Sequence, residues 1–228
     1  MHNSIRYLAV GAMAALTVTL TACGGSSGAT AGSAPTAAPS SAPAAAPTMA
    51  PTSAGVTTNA DVFGPACNQL PQGDAPGGLN AMGPMPVASA AATNPLLTTL
   101  VTAVGKVDGL ADTLNQQKGI TVFAPYNGAF EQVKTSVGDK AFNALLADQK
   151  QLGALLSYHV VPQRYDAKSL VAAGRTTELA GGQLTIGGTA DAPTVTDGKG
   201  NTAKILCGNI PTSNATVFVI DKVLMPKG

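Results

Sequence analysis

The order of apolar and polar positions divides the chain into stretches with different periods. Leu8 to Ala22 runs for 15 residues without a charge, behind a polar start that holds His2 and Arg6. A spanning helix needs ~20 apolar residues, so residues 1–22 read as a secretory signal. No apolar period follows until about Val87. There the spacing becomes helical. Asn94 can cap and Pro95 suits a first helical position, with Leu96, Leu97, Leu100, Val101 and Val104 on one face. Asp108 is a second capping candidate ahead of Leu110 and Leu114. Ile120 to Phe123 is a short β-type run that stops at Pro125. Asn127 can cap a new helix, Asp139 heads one with Phe142, Leu145 and Leu146, and Leu152, Leu155 and Leu156 repeat the i, i+3, i+4 pattern.

Beyond residue 180 the period drops to two. Leu184-Thr185-Ile186 meets Gly187-Gly188, and Thr194-Val195-Thr196 meets Asp197-Gly198, a two-residue hairpin signal. Lys204 to Cys207 and Thr216 to Ile220 are further strands. Helices first and strands later predict an α+β domain rather than an alternating βαβ chain.

Composition fills in the aperiodic part. Of residues 24–60, 34 are Ala, Pro, Ser, Thr or Gly, with Ala-Pro recurring every four residues from Ala34-Pro35 to Ala50-Pro51. Proline at that spacing forbids a persistent helix, and large apolar groups are too few for a core. Residues 23–60 are therefore expected to form a semi-rigid, polyproline-like stalk. Residues 61–85, rich in Gly and Pro, read as an ordered lead-in, and residues 86–227 as one domain.

The chain carries 13 Lys and Arg against 12 Asp and Glu, a net charge of +1. Nucleic-acid binding needs clustered cations, so a nucleic-acid partner is not expected. Leu20-Thr21-Ala22-Cys23 resembles the bacterial lipobox, which makes Cys23 the expected lipidation site and predicts anchoring to the cell membrane, facing outward. Cys67 and Cys207 remain. Outside the cytoplasm thiols tend to pair, and a Cys67–Cys207 disulfide is the default reading. A free thiol or a metal pair are the alternatives, and only one His, His159, lies beyond the signal to supply further ligands.

Thr121-Val122-Phe123-Ala124-Pro125-Tyr126-Asn127-Gly128-Ala129-Phe130 resembles the first signature of fasciclin (FAS1) domains. Tyr158-His159 is similar to that family's Tyr-His pair. The run from Asn214 to Pro226 resembles its closing strands. A lipobox, an Ala/Pro stalk, one FAS1 domain and a Cys pair together are similar to actinobacterial surface lipoproteins of the family. Tyr126 stands where Ser or Thr is usual and Phe218 where His or Tyr is common. The acidic-Pro-Asp integrin motif of animal members has no counterpart. The resemblance implies a single α+β FAS1 domain, with N-terminal helices packed on a strand-rich half in a sandwich or wedge.

The implied function is adhesion or protein–protein interaction at the envelope, or with host or matrix, without enzymatic activity and without a cofactor. The partner would be a protein or glycan. Tyr126, Asn127, Tyr158, His159 and Tyr165 are the contact candidates nearest the motifs, and the other reading of His159 is a structural imidazole hydrogen-bonded inside the domain or at its rim. Two other classes compete. A small-ligand carrier or enzyme would show a deep pocket converging on His159. A purely structural envelope component would show no specific partner. No Gly-x-Ser-x-Gly elbow accompanies His159. Asp191, Asp197 and Asn201 lack the one-three-five spacing of a calcium loop, so no metal is expected. The sequon Asn214-Ala215-Thr216 reads as incidental to the start of a strand.

Overall fold

Asn94 accepts a hydrogen bond from the Leu96 amide at 2.9 Å, and Pro95 opens a 3-10 turn (Pro95–Leu97) that runs into a helix at Thr98–Gly105. The computed structural model in which this is seen describes residues 55–227. The signal, the Cys23 anchor and most of the stalk lie outside the described residues. The helices are α1 Leu79–Met82, α2 Val87–Thr93, α3 Thr98–Gly105, α4 Leu110–Gln116, α5 Asn127–Val137, α6 Asp139–Ala147, α7 Gln149–Tyr158 and α8 Ala167–Ala173. The strands are β1 Ile120–Pro125, β2 Val160–Val161, β3 Arg175–Thr177, β4 Gln183–Thr189, β5 Ala192–Thr196, β6 Thr202–Pro211 and β7 Ala215–Ile220. Among the described residues no single helix is long and apolar enough to cross a membrane.

The strands form one sheet in the order β2-β1-β7-β6-β5-β4-β3, antiparallel except for β1 beside β7. The wedge is thus one curled sheet rather than two packed ones. Its two edges, β2 and β3, approach each other, and the Leu179 amide donates to the Val160 carbonyl at 2.8 Å. β1 and β7 are buried at every position, and period two sends their side chains to opposite faces. Val122, Ala124, Val217 and Val219 meet the helical layer. Phe123, Phe218 and Ile220 point into the curl with Leu184, Val195 and α8's Leu170. Phe123 and Phe218 lie in register, ring centroids 5.9 Å apart.

Cys67 and Cys207 are joined in a disulfide, Cα atoms 5.0 Å apart, and Phe63 bridges Gly208 beside it. The lead-in is ordered, and its Leu70 and Met82 enter the helix-side core. The folded unit begins earlier than expected. Gly55 and Thr57 are buried, and Thr216 Oγ1 donates to the Gly55 carbonyl at 2.6 Å. Gly55 has φ +82, and a Cβ there would strike the Arg164 carbonyl, so only glycine suits the position.

Several local expectations are corrected. Asp108 does not cap α4, because Gly109 at φ 72 takes that place. Tyr126 rather than Asn127 precedes α5, and Asn127 is its first residue. Gly187-Gly188 lie inside β4, and the tight turn falls at Ala190-Asp191, between the paired Thr189 and Ala192. Asp197-Gly198 starts a five-residue connection, because Thr196 pairs with Thr202 and Asp197 holds the loop through the amides of Lys199 and Asn201.

Candidate functional site

α7 ends at Tyr158, and His159 occupies its C-cap before β2. The cap places the imidazole between its own helix and the C-terminal segment. The Leu224 amide donates to Nε2 at 2.9 Å, so Nε2 carries no proton and Nδ1 donates to the Leu155 carbonyl at 2.7 Å. Burial lowers the His159 pKa to about 4. The ring is neutral at physiological pH with both nitrogens engaged, leaving no free atom for acid–base work.

Tyr158 is also buried; its hydroxyl accepts from the Gly198 amide at 2.7 Å, and burial raises its pKa. Asp197 completes the cluster by accepting from the Met225 amide at 2.9 Å. Tyr158 and His159, named as contact candidates, fasten the C-terminal segment and the β5–β6 turn to α7, which for His159 is the structural alternative. Neither presents a surface to a partner. Both carboxylate oxygens of Asp197 are taken by amides of the turn and tail.

Asn127 is structural as well. It accepts from the Thr99 amide at 2.9 Å and donates to the Pro95 carbonyl at 3.0 Å, tying the β1–α5 turn to the start of α3. Tyr126 is half-buried, its ring lying over Gly128. Tyr165 sits toward the other end of β1, where its amide donates to Thr121 Oγ1 at 2.8 Å. Five residues of strand, roughly 16 Å, separate Thr121 from Tyr126. The candidates therefore form no single patch.

Tyr165 alone among them lines an open polar recess, of about 300 Å³, between the sheet edges β2 and β3. Its hydroxyl donates to Gln163 Oε1 at 2.9 Å. Arg175, Thr176, Thr177 and Gln183 supply the other polar groups, and the buried Thr176 hydroxyl has no partner among the described residues. These residues escaped the sequence reading because they converge only when the sheet curls. The polar Gln163-Arg164-Tyr165 run was their one visible signal.

A second recess, also about 300 Å³, lies under α2. Ala88, Ala91 and Ala92 of α2, Gly105 of α3 and Ala111 of α4 leave the space, and the His159 ring and Val122 lie at its base. Pro86 offers α2 no capping side chain, so distant residues cap it. The Val87 amide donates to Asn214 Oδ1 at 2.9 Å and the Ala88 amide to Asn115 Oδ1 at 3.0 Å. Asn214 Nδ2 meanwhile donates to the Leu114 carbonyl at 2.8 Å and the Gln117 carbonyl at 3.0 Å, closing the end of α4. The sequon asparagine is thus the clamp between two helices, with its amide fully used.

The fasciclin domain model matches residues 95–226, more than half of the chain. The chain belongs to the fasciclin family. It is 39% identical over 180 residues to the cell surface glycolipoprotein MPB83 of Mycobacterium bovis, covering 73% of each. It is 37% identical over 172 residues to the immunogenic protein MPB70 of the same species, covering 73% of this chain and 83% of that one. Among solved structures it is similar to a FAS1 domain pair from the insect cell adhesion molecule Fasciclin I, with TM-score 0.54, 15% identity and 62% of this chain covered. The chain spans about half of that structure, 51%, and the likeness concerns the fold. As a fasciclin domain, the molecule uses its Tyr-His pair as an internal brace, and α2 lies ahead of the matched region.

Proposed function

We propose that this fasciclin protein is carried at the cell surface by a lipid on Cys23 and a stalk, and acts there by adhesive contact with another protein. Its mycobacterial relative MPB83 is named as a cell surface glycolipoprotein, and the insect structure comes from an adhesion molecule. The observation that carries the contact site is the seam between β2 and β3. There a tyrosine ring, a guanidinium and two carboxamides from Gln163 and Gln183 border one solvent-open recess. An aromatic face with adaptable hydrogen-bonding groups is the composition of recognition surfaces. The engaged nitrogens of His159 speak for contact rather than catalysis.

The test uses the native chain and a Tyr165→Ala/Arg175→Ala chain, cross-linked to envelope and host-matrix fractions. One saturable protein captured by the native chain and lost by the variant, with unfolding temperature kept, supports the reading. Capture of a glycan, equal capture by both chains, or no saturable capture overturns it. Radiolabelled palmitate incorporated by the native chain but not by Cys23→Ala tests the anchor.

A further inference from the structure

We infer that the recess under α2 is a binding site for one neutral, largely hydrocarbon small molecule, whose single polar group meets Ser89 and Asn115. This site is separate from the contact seam and does not rest on it. Its volume is about 300 Å³. A dry apolar cavity of ~150 Å³ accepts benzene, so twice that volume accepts on the order of twelve carbons. It is also the lower end of the range for ligand pockets.

Two observations make it a built site rather than a packing fault. First, its walls are fixed before any ligand arrives, because Asn115 and Asn214 hold the start of α2 by hydrogen bonds from remote segments. Second, α2 is apolar on more than the side it buries. α2 and the Pro95–Gly105 segment together have the length and hydropathy of a membrane span, yet are bent by 99°. Val87 and Ala90 face the core and account for one side. Ala88 and Ala91 touch that core only in part and, with the exposed Ala92, also line the recess; an apolar occupant accounts for the surface that the core leaves uncovered.

The lining sets the chemistry. No charged side chain contributes to it, so a buried ionic group would have no counter-charge. Asn115 Nδ2 donates to Ser89 Oγ at 3.4 Å, which leaves the serine proton for an acceptor on the ligand. His159 offers only ring carbons, since its nitrogens are bonded elsewhere. An aliphatic alcohol or ester fits; a fatty acid anion does not.

The experiment titrates aminoanthracene, a neutral fluorescent probe, into the full chain carrying Cys23→Ala, so that no attached acyl group competes, beside the native chain. The expected result for Cys23→Ala is saturable uptake of one probe per chain, displaced by dodecanol at least about tenfold more effectively than by dodecanoate. Ala92→Leu/Gly105→Leu, which fills the mouth, is expected to weaken uptake at least about tenfold with the unfolding temperature kept. If that variant unfolds early, Gly105→Leu alone is read by the same standard, because a Cβ there meets no atom within 4 Å and the backbone need not move. No uptake by Cys23→Ala, undiminished uptake after filling, or equal displacement by dodecanoate overturns the proposal.

Two sources offer the same chemistry. Uptake by Cys23→Ala but not by the native chain assigns the site to the chain's own acyl group. Dodecanol recovered from the re-isolated protein after incubation with phosphatidylcholine vesicles loaded with it, without phosphatidylcholine itself, assigns the site to neutral lipid dissolved in the membrane. Either result carries the inference.

Discussion

The two recesses have the same volume and opposite origins. The one under α2 exists because side chains are small: alanines and a glycine stand where leucines would close the gap between helices and sheet. The one at the seam exists because the backbone stops short: β2 and β3 are edges that curl toward each other and join by the Leu179–Val160 hydrogen bond. A void made by side-chain volume can be filled by one substitution with the backbone unmoved. A void made by strand geometry keeps its shape under substitution, and only its chemistry changes. The first is suited to selecting a ligand by size, the second to displaying polar groups.

This contrast can be broken most forcefully through the disulfide. Cys67→Ser/Cys207→Ser is expected to cost roughly 2–5 kcal/mol in urea unfolding. Hydrogen exchange should rise first in α1 and in α2, which lines the apolar recess, and last at the seam.

Acidification comes next. The folded-state pKa of His159 is about 4, below the ordinary 6.5. The unfolded chain therefore takes up the proton first. The contribution is fully present above pH 6.5 and is lost as pH falls toward 4, by on the order of 3 kcal/mol. His159→Gln should flatten that slope in a stability-versus-pH series, at the expense of overall stability.

Asn214→Ala follows, at about 2 kcal/mol, because it strands the Val87 amide and the carbonyls closing α4. Its exchange signature should also be confined to the helical side. Gly105→Leu is smaller and of opposite sign, stabilising by up to about 1 kcal/mol through helix propensity. Tyr165→Ala, at the seam, should change stability by no more than about 0.5 kcal/mol. An equally large effect at Tyr165 and at Asn214 would erase the distinction between the two regions.

What the sequence disclosed was local or carried by the family likeness. Asn94-Pro95, the run into Pro125 and the alternation of Leu184 to Ile186 declare themselves within a few residues, and the fasciclin motifs supplied the fold. The β1–β7 parallel pair was not visible, because ladder partners 95 positions apart, such as Val122 and Val217, leave no periodic trace. The short elements β2, β3 and α8 lacked enough period to register. The site was harder still. For Tyr158-His159 the sequence leaves a structural and a contact role side by side, and only Leu224 and Met225, folding across the pair, decide for the structural one. Asn115, near the end of α4, and Asn214, just ahead of β7, resemble ordinary boundary asparagines until α2 arrives without a cap of its own. Burial of this kind depends on which distant segment covers a residue, and composition is silent on that.

The way the chain enters the fold has a mechanical consequence. Gly55 is pinned to the first residues of β7 by Thr216, and twelve positions later Cys67 is covalently bound to β6. Tension applied along the chain ahead of Gly55 can peel away residues only as far as Cys67. There the load passes through a covalent bond into β6, the central strand of the sheet, and the segment from Asn68 through α1 and α2 stays slack. A domain tugged from its N-terminal side would surrender a short length of chain and then stop yielding, with its apolar recess still roofed.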